Sequence, residues 1–165
     1  MIRKMIRQRS HRLPRQYYRG RVLASFTACL QNREHLFQDK ALVGNFVSIL
    51  DWACRKNDCI AVLYCFMPDH LHLVMAGQSE RADLYQAMLD FKQHSGFLLH
   101  TTKPTSRWQK GFHDRIIWNE PELPEKLRYI AENPVRQGLV SCWFDYPFTN
   151  SLGIPFEDVI ELMFG

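Results

Sequence analysis

Residues 58–76, DCIAVLYCFMPDHLHLVMA, hold two apolar runs separated by Pro68-Asp69. Asp58 to Met67 is apolar at consecutive positions, as befits a strand covered on both faces. His70 to Ala76 reads as a second strand, the other arm of a hairpin. Side chains at i and i+2 of a strand share a face. His70 and His72 therefore point one way, while Leu71 and Leu73 point into a core on the other.

On the N-terminal side, Arg21 to Leu30 (RVLASFTACL) reads as a strand with Val22, Ala24, Phe26 and Ala28 on one face. Asp39 can cap a helix running to about Lys56, with Leu42, Phe46, Leu50 and Ala53 along one stripe. On the C-terminal side, Ser79 opens a second long helix carrying Leu84, Met88, Phe91 and Leu98, and Thr101 to Ser106 is a loop. Phe112 to Trp118 is a fourth strand, and Glu122 to about Asn133 a third helix. The order β-α-β-β-α-β plus a helix predicts an α+β fold, the ferredoxin-like split βαβ with one helix added after the last strand. The predicted organisation is a basic arm over residues 1–20, a central domain over 21–141, and a tail over 142–165 that docks and ends in a short helix.

The 165 residues are 46% hydrophobic, too apolar for a disordered chain and enough for one domain with a substantial core. The longest apolar run, Ile60 to Met67, is too short to span a bilayer. Met1 is followed by basic residues rather than an apolar segment, so no signal peptide is expected. Five cysteines without a C-x-x-C pair suggest reduced thiols and a cytoplasmic protein. The net charge of +4 is unevenly spread: residues 1–21 carry eight basic side chains, and the first acid is Glu34. Such an arm suits phosphate binding, and it equally suits a solvated terminus.

Two histidines side by side on a strand suggest a shared divalent metal, since their nitrogen lone pairs converge; separate hydrogen bonding is the plainer alternative. The zinc pattern H-x-H-x-D-H fails, because Val74 and Met75 stand where Asp and His belong. No H-E-x-x-H and no cysteine pair at zinc spacing is present, which favours a harder metal with oxygen ligands. A second constellation lies in LRYIAENPVRQGLV, residues 127–140. Tyr129 and Asn133 are one helical turn apart, Pro134 ends or kinks the helix, and Gly138 can supply a left-handed turn. Taken alone, this is equally a helix C-terminus with a core tyrosine and a capping asparagine. In the split βαβ order, however, that helix can cross the sheet face bearing His70 and His72. Asn133 can then complete a metal site, with Tyr129 as a nucleophile beside it.

These residues resemble the single-tyrosine HUH transposases, most closely the REP-associated tyrosine transposases. His70-Leu71-His72 matches the His-hydrophobic-His motif, and Trp108-Gln109-Lys110-Gly111-Phe112 matches WQ-x-x-F. Tyr129-Ile130, Asn133-Pro134-Val135 and Gly138-Leu139-Val140 match YI-x-x-NPV-x-x-GLV. The resemblance runs from about Leu13 to Tyr146. It implies an enzyme that cuts single-stranded DNA, usually beside a hairpin, and keeps the 5′ phosphate on Tyr129. His70 and His72 are then metal ligands, Asn133 the third, and Mg²⁺ or Mn²⁺ the metal. One departure is that Asp114 in the last strand is followed by Arg115, with His113 before it, where a histidine is expected after the acid.

Candidate phosphate contacts are Arg12, Arg15 and Arg19 of the arm and Lys92, Lys110 and Arg115 of the body. Tyr17, Tyr18, Trp108 and Trp118 can stack on unpaired bases. The expected partner is single-stranded or hairpin DNA, with no membrane; monomer and homodimer are both compatible with the sequence. The rival function is a non-catalytic nucleic-acid-binding module on the same fold.

Overall fold

The computed structural model describes residues 12–165, so most of the arm, Met1 to His11, lies outside the described residues. Strand β1 (Leu23–Cys29) alternates as expected, burying Ala24, Phe26 and Ala28 on one side. Helix α1 (Lys40–Lys56) begins where the Asp39 carboxylate accepts from the backbone N–H groups of Ala41 and Leu42, at 2.9 and 3.2 Å. A cap of this kind contributes about 1 kcal/mol. Its stripe of Leu42, Phe46, Leu50 and Ala53 is buried throughout. Strands β2 (Cys59–Met67) and β3 (His70–Gly77) form the hairpin, with Met67 opposite His70 and Cys65 opposite His72.

Helix α2 (Leu84–Thr102) starts later than the sequence suggests. Asp83, not Ser79, is its cap, accepting from the Gln86 N–H at 2.9 Å. Ser79 instead donates to the Asp58 carboxylate, which ties the end of the β2–β3 hairpin to the following turn. The helix also runs past Thr101, and its buried stripe closes on Leu99 rather than Leu98. Ser95 sits inside that stripe, fully buried, because its hydroxyl accepts from the Trp108 indole N–H at 2.9 Å and donates to the Phe91 carbonyl at 2.6 Å. Trp108 is thus a core residue and Tyr18, fully buried, is another; neither is open to a base.

Strand β4 (His113–Ile117) completes the split βαβ. The sheet order is β4-β1-β3-β2, extended by one further strand, with every neighbouring pair antiparallel. One face packs against α1 and α2 through Phe26, Leu71, Leu73 and Met75. The other face carries Val74 and Ile117 and is covered by α3 (Glu122–Ala131) through Leu127, Ile130 and Ala131.

Helix α3 does not simply end at Pro134. Glu132 keeps α-region angles (φ −81, ψ −7), and a four-residue helix, α4 (Asn133–Arg136), follows at a kink. Proline is tolerated there because the first turn of a new helix needs no N–H from it. Gly138 then takes φ +72, the left-handed turn expected of it. Residues 142–165 supply the fifth strand, β5 (Thr149–Leu152), paired with β2, and α5 (Phe156–Phe164). Val159 and Met163 of α5 are fully buried against α3, and Arg128 donates to the Met163 carbonyl. The five cysteines are free.

Candidate nucleophile and histidine site

His70 and His72 do share a face, the one covered by α3. Their Nε2 atoms stand 3.1 Å apart, and each ring is held from behind at Nδ1. His70 Nδ1–H donates to Asp69 Oδ1 at 2.6 Å, and Asp69 is itself paired with Arg33 at 2.7 Å. His72 Nδ1 lies 3.2 Å from the Thr27 hydroxyl, which can donate or accept and so leaves either tautomer available. Burial pushes the His72 imidazole down to about 3, helped by His70, Lys126, Arg136 and Arg33. His72 is therefore neutral at physiological pH, the state a metal ligand requires.

Two facing Nε2 atoms with both Nδ1 atoms engaged fit a divalent cation, because outer partners of this kind orient metal-binding imidazoles. Among the described residues no third His, Cys, Asp or Glu joins them. Asn133, 7% exposed at the start of α4, remains the candidate for an amide oxygen ligand.

Tyr129 is 55% exposed on α3, not a core tyrosine. The Arg136 guanidinium lies 4.1 Å from its ring centre and the Lys126 ammonium 5.8 Å. Arg136 also donates to the Tyr129 carbonyl and pairs with Glu132 at 3.8 Å. Burial and neighbouring Arg115 lower the Lys126 ammonium. A cleft of about 320 Å³ opens on Tyr129, walled by Arg115 and Lys126, with Ser25 and Ile117 from the sheet. Lys126 and Arg136 were not among the sequence candidates. Their signal was available, for they stand three residues before and seven after Tyr129, but a straight helix would carry position 136 about 10 Å away.

The other candidates are distributed differently. Arg115 lines the cleft and pairs with Glu122 at 3.2 Å. Lys110 lines a smaller pocket of about 160 Å³ with Thr27 and His113. Arg12 places its three nitrogens on Asp114 (2.8 Å), the Tyr85 hydroxyl (2.7 Å) and the Phe112 carbonyl (2.7 Å). Arg15 donates to Gln86 at 2.9 Å, and Arg19 pairs with Asp83 at 3.2 Å. Lys92 donates to the carbonyls of Gln109 and Gly111, stapling that loop to α2; burial lowers its ammonium to about 8. Asp114 faces α2 and also accepts from the buried Tyr18 hydroxyl, so the acid of the last strand fastens the arm. His113, on the opposite side of β4, falls in register with Thr27 and hence with His72.

Residues 20–133 match the sequence profile described as "Transposase IS200 like", and the chain belongs to that family. The resemblance to single-tyrosine HUH transposases is thereby borne out, and with it the enzyme class. A Haemophilus influenzae (strain Rd) protein assigned as a REP-associated tyrosine transposase is 27% identical over 137 residues, 76% of this chain and 77% of that protein. The solved structure of a REP-associated tyrosine transposase bound to a REP hairpin shares the fold with a TM-score of 0.71 at 22% identity, over 84% of this chain and 82% of that one. A transposase structure from Deinococcus radiodurans R1 gives a TM-score of 0.51 at 15% identity, over 68% and 91%.

Proposed function

We propose that this transposase cuts and rejoins single-stranded DNA through a 5′-phosphotyrosine link at Tyr129, beside a hairpin of the REP type. One observation supports this most: α3, which carries Tyr129 with Lys126 and Arg136 beside its ring, packs on the sheet face that bears His70 and His72. The hairpin substrate follows the relative solved with a REP hairpin.

His70, His72 and Asn133 would hold one Mg²⁺ or Mn²⁺. Bound there, such an ion would supply Lewis-acid polarisation of a phosphoryl oxygen and offset charge in the transition state. Tyr129 Oη attacks phosphorus, and the bond to the 3′ oxygen breaks. The proton lost by the phenol is balanced by the one the 3′ oxygen takes up. Lys126 and Arg136 supply positive charge where the phenolate and the phosphate meet. Exchange of one phosphodiester for another needs no ATP, and no phosphate loop of the G-x-x-x-x-G-K-[ST] type is present in the sequence. A cytoplasmic location goes with this reading; among the described residues no helix is long and apolar enough to cross a membrane.

The test is incubation with labelled hairpin-bearing single-stranded DNA and Mg²⁺ or Mn²⁺, followed by a search for an SDS-stable adduct. Wild-type protein should form it. Tyr129→Phe should bind the DNA and form none; an adduct at full yield in that variant overturns the assignment.

A further inference from the structure

The cleft at Tyr129 adjoins a second pocket at the end of β4, lined by Trp118 and Asn119; Glu122 and Glu125 line both. Trp118 is 63% exposed and Tyr17 39%, and their rings stand 5.9 Å apart at 82°. They stand 101 residues apart in the sequence, so the pairing is a product of tertiary structure. The perpendicular tyrosine packs edge-on against the indole, a contact that favours one orientation of the ring. Most of the indole surface remains open, although the core has other aromatic pairs that bury theirs, such as Phe37 with Phe46. A ring held in one orientation before binding loses less freedom when a ligand arrives.

We propose that Trp118, braced by Tyr17, is a stacking platform for one unpaired base of the strand that Tyr129 attacks. This rests on the strand-cutting reading and adds where the protein grips a base beside the cut. Three features favour a nucleotide as the occupant. The pocket beside the platform adjoins the Tyr129 cleft, the two sharing Glu122 and Glu125. Arg115 and Lys126 line the stretch between them, where a backbone phosphate would lie. Two carboxylates, Glu122 and Glu125, line that path, and Glu122 is compensated by Arg115 at 3.2 Å and by the Asn119 amide at 3.2 Å. At about 320 Å³ the inner cleft is at the small end of ligand sites, of a size for about one nucleotide. A base paired within a duplex also has its faces covered by its neighbours, so the platform selects unpaired DNA.

The experiment uses full-length Tyr129→Phe protein, which should bind without cutting, and hairpin oligonucleotides carrying 2-aminopurine at successive single-stranded positions. One position should be quenched on binding. Adding Trp118→Ala should abolish that quench and weaken affinity about 10-fold, a usual effect of losing one base–aromatic stack. Trp118→Phe should keep most of both, and circular dichroism should show each variant folded. Equal affinity and equal quenching in Trp118→Ala overturn the platform while leaving the strand-cutting reading intact. A change of oligomeric state in that variant, read by light scattering, overturns it in favour of an interface between copies. No binding of any oligonucleotide by the parent protein overturns both readings.

Discussion

The guanidinium carbon of Arg136 stands 4.1 Å from the centre of the Tyr129 ring, and the same side chain donates to the Tyr129 carbonyl oxygen. Seven residues, two helical turns, separate the two, and the break at Glu132 between α3 and α4 lies between them. An exposed tyrosine free to rotate would seldom present its hydroxyl in line; a cation on its ring and a hydrogen bond to its backbone restrict it. Arg136→Ala should slow adduct formation at saturating DNA by about 10-fold, within the range a cation–π contact can supply. Arg136→Lys should recover part of that, having the charge without the flat stacking surface. Time courses of adduct formation against separately measured DNA affinity check this: an unchanged rate with altered affinity assigns Arg136 to substrate binding instead.

Asp69 should control metal affinity without touching DNA. Its carboxylate holds His70 Nδ1 at 2.6 Å and is held in turn by Arg33. Asp69→Asn keeps the shape but weakens the grip on the ring, and Mn²⁺ affinity should fall about 10- to 100-fold. Titration of Mn²⁺ followed by electron paramagnetic resonance measures it directly. His70→Ala with His72→Ala should abolish the specific site.

Asp114 is expected to matter for stability rather than for chemistry. It receives Arg12 and the buried Tyr18 hydroxyl on the α2 side of β4, away from the histidine pair. Asp114→Ala leaves that hydroxyl unpartnered and should cost about 2–4 kcal/mol in urea unfolding. The folded variant should still form the adduct at near wild-type rate.

Asp90 carries a pH signature. Burial raises its carboxyl, but hydrogen bonds from Asn57, Gln86 and Lys56 outweigh this and hold it below the ordinary carboxylate value. A depressed folded value contributes stability above the unfolded value near 4 that is lost as pH falls through it. Asp90→Asn should therefore destabilise at pH 7, and the gap to wild type should shrink below about pH 4. Parallel stability curves from pH 7 to pH 3 would falsify it.

The basic arm separates into two parts. Residues 1–11 hold four Arg or Lys side chains, whereas Arg12, Arg15 and Arg19 are engaged with Asp114, Gln86 and Asp83. If the first four each neutralise a phosphate, deleting 1–11 should reduce the salt slope of single-stranded DNA binding by about three units. Extending the deletion through Arg15 should add a loss of thermal stability. Identical slopes for full-length and shortened protein would mark residues 1–11 as a solvated tail.

Much of this was legible in the sequence because it depends on neighbours a few residues apart. Strand periodicity places His70 and His72 on one face, Asp39 caps α1, and Gly138 marks the turn after α4. Each is decided within about one turn or one hairpin. Even the strand order follows from the alternation of element types, since connection rules leave few arrangements. Other features required tertiary structure. Residues 149–152 (TNSL) are too short and polar to announce a strand; they pair because β2 offers an open edge. Arg12 reads as a phosphate contact until Asp114, 102 residues away, takes its Nε. Arg136 meets Tyr129 across the break between α3 and α4, a contact made by where its long side chain folds rather than by any local pattern. Trp118 and Tyr17 form their pair only after the arm has packed along β4 and α2. A side chain's local conformation is set by its own backbone, but its partner is set by whatever the folded chain brings within a few ångströms. For charged and aromatic residues, the partner decides the role.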